Sequence, residues 1–182
     1  MSANEELEEH AHHAKEPFDR KVAVTMAIVA ALLAMVTVGA HIFGNEELLL
    51  QQRASDQWAY YQAKSGRRYA SDVARDTLKA MQSAELAEKY AKNAERYEKE
   101  GEEIQTEAKA LEAESKLKGR QSFRMESGEV FLEIGIVFAS LAILTKRQFV
   151  WVSSMVSSLV GLVLAATAAF PDWPAALFKP HP

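Results

Sequence analysis

Ala87 to Leu111 reads AEKYAKNAERYEKEGEEIQTEAKAL. Within it Ala87, Ala94, Gly101 and Ala108 recur every seventh residue and alternate, at three-and-four spacing, with Tyr90, Tyr97, Ile104 and Leu111. A strict seven-residue repeat keeps one seam of an α-helix against a partner, and small side chains on it let two backbones come close. The blocks Ala87-Glu88-Lys89-Tyr90 and Ala94-Glu95-Arg96-Tyr97 show the repeat as a duplication. The stretch therefore predicts one arm of a tight, coiled-coil-like helix pair. Carried outward, the small column extends back through Ala59, Gly66, Val73 and Ala80 and forward to Ser115.

The surrounding sequence sets where that arm turns. Between Glu46 and Gly128 there is no proline, and alanine, glutamate, lysine, glutamine and arginine dominate, so the segment reads as helix throughout. Apolar runs flank it on both sides. If these cross a membrane and the middle lies on one face of it, the helix must turn and come back, giving two arms of about 40 residues, each roughly 60 Å long. The small column therefore cannot be one straight seam, and its Ala87–Leu111 part carries the reading. Ser83 suits a helix N-cap, with Glu85 in the first turn, which places the tip near Gln82 to Leu86. A turn at Gly101 or Gly119, or arms lying along the membrane surface, are the alternatives.

The chain has 182 residues, 48% of them hydrophobic and 25% charged, but these averages cover two unlike materials. Val22 to Phe43 and Phe149 to Phe170 each carry no charged residue and are long enough to cross about 30 Å of hydrocarbon. A third run, about Val130 to Thr145, is shorter and contains Glu133. Lys146-Arg147 joins it to the last run so closely that only a tight helical hairpin fits. The expected fold is all-α. A polar His/Glu-rich tail spans 1–21, membrane helices span 22–43, 129–145 and 148–170, an antiparallel extramembrane hairpin spans 44–128, and a tail spans 171–182. Lys15, Arg20 and Lys21 precede the first run while Glu46 and Glu47 follow it, so the N-terminus is expected in the cytoplasm and the hairpin outside. Arg53, Lys118, Arg120 and Arg124 lie near membrane ends on the opposite side and weaken that polarity.

A net charge of −4 leaves no general basic footprint for nucleic acid. The absence of cysteine excludes disulfides, thiolate metal sites and thiol nucleophiles. The first apolar run is too long for a signal-peptide core and lacks a small-residue cleavage site.

The other distinctive stretch, Gln51 to Ser65, reads QQRASDQWAYYQAKS. Trp58 and Tyr61 share one helix face with Ala54 and Ser65, and Gln57, Tyr60 and Lys64 share a neighbouring one. Aromatics beside amides suit a specific protein interface, and packing within the same hairpin is the alternative use. Together with the apolar helix ending near a histidine and the Glu-Leu-Leu-Leu-Gln run that follows it, this stretch resembles an uncharacterised bacterial membrane family, domain of unknown function 4337. The resemblance covers most of the chain and implies an N-terminal membrane helix, a helical middle and a C-terminal pair of membrane helices in the bacterial inner membrane. It brings no activity, cofactor or catalytic residue. Gly66 stands where a bulkier residue is expected.

The remaining candidate sites come with plainer alternatives. His10 and His13, or His12 and Glu16, would meet on one face if the tail were helical and could then hold a transition metal; incidental histidines in a flexible tail are the other reading, and no metal or cofactor is expected. Glu129 and Glu133, one turn apart, and His41 lie toward the outer ends of membrane helices and form a possible ion site or simple interfacial anchors. Ser153, Ser157, Gly161, Ala165 and Ala169 recur at four-residue spacing, as do Ala23, Ala27 and Ala31, a pattern that permits close helix packing in lipid. No phosphate loop, dinucleotide fingerprint, zinc motif or hydrolase elbow is present, so an enzyme is not expected. The reading is a membrane-anchored helical scaffold or accessory subunit, a homo-oligomer or part of a larger complex, with a small oligomeric channel as the alternative.

Overall fold

The computed structural model describes residues 17–170, all but a few of them helical. Three α-helices are present among the described residues: α1 Pro17–Ala80, α2 Ala84–Thr145 and α3 Gln148–Ala166, the last followed by one 3₁₀ turn at Thr167–Ala169. All three are long and apolar enough to cross a membrane. The candidate metal-binding residues His10, His12, His13 and Glu16 and the tail 171–182 lie outside the described residues.

Pro17 opens α1 with Asp19 in its first turn, and Lys79 lies in its last, as the helix dipole favours. The helix ends in a Schellman turn, in which Gln82 N–H donates to the Lys79 carbonyl at 3.0 Å and Ser83 N–H to that of Leu78 at 3.0 Å. That turn needs a left-handed residue, and Gln82 supplies it at φ 59°. Ser83 then leads α2, its carbonyl accepting from Ala87 N–H at 3.1 Å, with Glu85 in the first turn. The turn thus occupies Met81–Ser83, while Gly101 and Gly119 both lie inside α2. Lys146 at φ 53° makes the second turn, between α2 and α3.

The chain divides into two compact units, Asn45–Lys118 and the remainder. In the first of these, cross-helix pairs step forward along α1 as they step backward along α2: Glu46 with Lys118, Trp58 with Glu112, Lys64 with Glu100, Arg68 with Glu98. This unit is narrower on its returning side than the expected 44–128. Ser122 belongs instead to the other unit, where it bonds to the Ala40 carbonyl, and Glu129, as expected outside the hairpin, accepts there from the Thr37 hydroxyl.

In that other unit, Val29, Val36, Leu132 and Ala165 form one buried cluster, and Val22, Ala139 and Ala142 form a second beside Phe18 and Trp151. Most of its large apolar side chains nevertheless point outward, Ile28, Met35, Val38, Leu144, Phe149 and Leu159 among them. Such a surface is suited to hydrocarbon.

Candidate functional site

On α2 the small column falls on the inner face: Ala87, Ala94, Gly101 and Ala108 are buried, as are Ile104 and Ser115, while Tyr97 and Leu111 are half-buried. Tyr90 is exposed. On α1 the column breaks phase. Ala59, Gly66, Val73 and Ala80 are all exposed, and the inner positions lie two residues earlier, at Gln57, Lys64, Ser71 and Leu78. The α1 side of the seam is thus largely polar, so neither small size nor hydrophobicity marks it in the sequence.

The centre of this unit is built by the Gln51–Ser65 stretch. Trp58 indole N–H donates to Glu112 Oε1 at 2.8 Å, and its ring meets Tyr61 edge-on at 5.7 Å and 88°. Tyr61 lies over Gly101, whose missing Cβ would stand 3.6 Å from the ring. Both aromatics therefore engage within the unit. Tyr60 turns to the other side and, with Tyr97, flanks the Lys64 ammonium at 5.2 and 5.5 Å from the ring centroids. Lys64, only 9% exposed, donates to Glu100, and the Arg96 guanidinium also lies over the Tyr97 ring, at 5.0 Å. The bond to Glu100 raises the Lys64 pKa above its ordinary 10.5 and holds the Glu100 carboxyl below its ordinary 4.5. Arg68 adds a bond to Glu98 at 2.7 Å.

Beside Trp58 runs a groove of about 420 Å³ lined by Glu47, Gln51, Ser55, Glu112, Ser115 and Lys116. Gln57 is half-buried and Tyr60 half-exposed, so the four residues expected to form one interface divide between two sides of the helix. Sequence spacing showed the two faces but not their partners Glu112 and Glu100, since acidic residues abound along α2.

In the other unit, His41 and Glu133 are exposed and Glu129 is half-buried, accepting from Thr37 Oγ1 at 2.6 Å. The three do not converge, and among the described residues no group of three His, Asp or Glu could hold a metal ion. Counting one turn from the Thr37–Glu129 bond sets Glu133 level with Leu33, midway along the Val22–Phe43 run.

The packing stripe on α3 is Ser154, Ser158, Gly161, Ala165 and, beyond its end, Ala168. Ser153 is exposed and bonds its own helix at the Phe149 carbonyl, and Ala169 is exposed. Ser157 is half-buried and donates to the Phe131 carbonyl of α2 at 2.8 Å. The stripe mixes three- and four-residue steps because 3.6 residues make a turn. It meets Gly128 and Gly135 of α2, which with the buried Ala142 make a seven-residue column that sequence reading missed and that its own spacing could have revealed. Ala23, Ala27 and Ala31 are exposed rather than packed. Arg124 and Gln121 close the end of α3, donating to the carbonyls of Thr167 and Phe170 at 2.9 and 2.7 Å and of Ala168 at 3.0 Å.

The sequence model of a family described as domain of unknown function (DUF4337) matches residues 18–171. The chain belongs to that family. The match takes in all three helices of this DUF4337 protein, including the Trp58 and Lys64 sites and the Gly128–Gly161 crossing. No curated protein and no solved structure matches the chain.

Proposed function

We propose that this DUF4337 protein is a non-enzymatic membrane scaffold or accessory subunit of the bacterial inner membrane. Its three apolar helices anchor an antiparallel, coiled-coil-like hairpin that self-associates or docks a partner outside the bilayer. The observation that carries this reading is the polar ladder from Glu46–Lys118 through Trp58–Glu112 and Lys64–Glu100 to Arg68–Glu98. Paired polar groups at fixed levels set a register, which a slippery apolar seam would not, and they leave the outer faces of the helices available for contact.

The orientation has support of the same kind. The Lys146 ammonium pairs with Asp19, so Arg20, Lys21, Lys146 and Arg147 gather at one end of the membrane unit, which is then the cytoplasmic end. Two cations that weaken this polarity in the sequence are locally occupied: Arg124 caps α3 and Lys118 pairs with Glu46 at 2.6 Å.

Native mass spectrometry of protein gently extracted from its own membrane tests the reading. A defined oligomer or a co-extracted partner is expected; a lone monomer for the wild type refutes it.

The exposed level of Glu133 favours a second reading, an oligomeric channel. Glu126, Glu133 and Ser140 form an exposed stripe at seven-residue spacing, so a polar pathway would lie between copies rather than inside one. Cation flux in liposomes that falls with Glu133→Gln would favour it, and absence of flux removes it.

A further inference from the structure

The cytoplasmic end of the membrane unit holds a groove of about 530 Å³ between α1 and α3, lined by Pro17, Arg20, Lys21, Val24, Thr25 and Trp151. Its two cations and its apolar floor come from one turn of α1. Asp19, the nearest acid in sequence, is already taken by Lys146. Among the described residues neither Arg20 nor Lys21 has an ion pair, so none of them neutralises the two cations of the groove.

The wall opposite is held in place. Trp151 indole N–H points to Thr25 Oγ1 at 3.4 Å, Thr25 in turn donates to the Lys21 carbonyl at 2.9 Å, and Phe18 meets the Trp151 ring edge-on at 6.3 Å. Below the cations the surface turns wholly apolar: Val24 is 54% exposed and Ile28, one turn deeper, 56%. An amphipathic indole beside two cations, at the start of an apolar track, matches a molecule with an anionic head and a hydrocarbon tail.

We infer that this groove binds an anionic phospholipid, its phosphate between Arg20 and Lys21 and an acyl chain along Val24 and Ile28. The inference rests on the membrane reading above. Bare phosphate would satisfy the cations but leave the apolar track uncovered, so the lipid is the better occupant.

The test uses the full chain in zwitterionic nanodiscs, with bound lipid counted by native mass spectrometry against phosphatidylglycerol and phosphatidylcholine of the same chain length. Retention of phosphatidylglycerol over phosphatidylcholine is expected, weakened roughly 30-fold in Arg20→Gln/Lys21→Gln because each cation near an anionic surface contributes a factor of about 5. Lys89→Gln, distant in sequence from the groove, should bind as the wild type does. Val24→Trp fills the groove without altering charge and should also lose the lipid, which keeps the test decisive if the double variant misfolds. Equal retention of the two lipids, unchanged binding in both groove variants, or displacement of the lipid by millimolar inorganic phosphate alone overturns the proposal. Resistance of the wild type to alkaline extraction from membranes is measured in parallel, so a protein that stays embedded but shows no lipid preference refutes the site and not the membrane anchoring.

Discussion

Replacing Gly161 by alanine should separate α2 from α3. A Cβ on Gly161 would stand 2.6 Å from the Gly128 carbonyl oxygen, 3.0 Å from Leu132 N and 3.0 Å from Phe131 Cβ. Two of these three atoms are backbone and cannot rotate away. An ordinary carbon–oxygen contact is about 3.4 Å or more, so the helices must part by several tenths of an ångström, loosening the Ser154–Ala165 stripe. Overpacking of this kind costs about 1–3 kcal/mol, and for a chain of this size that lowers Tm by roughly 2–12 °C. Gly135→Ala should act similarly, since its Cβ would meet Ser158 Oγ at 2.2 Å, though a serine can rotate and the cost should be smaller. Gly66→Ala is the control. Nothing lies within 4 Å of its Cβ, and alanine should stabilise the helix by about 0.5–1 kcal/mol. Thermal unfolding followed by circular dichroism in one detergent would rank the three variants. If Gly161→Ala unfolds at or above the wild-type temperature, the close crossing at Gly128–Gly161 is not what holds α2 against α3.

Three further outcomes follow from the described contacts. Gln82→Gly should raise stability by about 1 kcal/mol, because a left-handed residue with a Cβ is strained where glycine is not; thermal unfolding measures it, and a loss of stability would count against the turn. Trp58→Phe removes the bond to Glu112 while keeping an aromatic ring, and should cost about 1 kcal/mol by the same assay, with Glu112→Ala, which removes the acceptor, largely non-additive to it in a double-mutant cycle. Glu100 has a lowered pKa and Lys64 a raised one, so their bond contributes above the ordinary 4.5 of the acid and below the ordinary 10.5 of the amine. Stability is lost as pH falls through the lowered Glu100 value and as it rises through the raised Lys64 value. The wild type should therefore exceed Glu100→Gln in Tm at pH 7 and lose that margin progressively as pH falls below 4.5 and through the lowered Glu100 value, and a difference that does not shrink on acidification would show the bond is not its source.

Much of this architecture was legible because the forces that set it act locally. Freedom from proline and an abundance of helix formers gave the middle its helices, and Lys146-Arg147 between two apolar runs left room only for a turn. Ser83 with Glu85 placed the α2 start nearly to the residue. Gln82 carried no turn signature, since glutamine is seldom left-handed, and the turn emerges from the Leu78 and Lys79 carbonyls that it satisfies.

What the sequence by itself determined is periodicity: an inner column at Ala87, Ala94, Gly101 and Ala108, and three runs apolar enough to meet hydrocarbon. A helix's own repeat says which residues share a face. It does not say which face meets another helix when several are chemically mixed. Tertiary structure alone decided that Lys64 and not Gly66 sits in the seam, that Ser154 and Ser158 rather than Ser153 carry the α3 contact, and that Glu133 stands midway along an apolar run. Each depends on the rotation of one helix against another, fixed by pairs such as Trp58–Glu112 and Gly128–Gly161 between residues far apart in the chain.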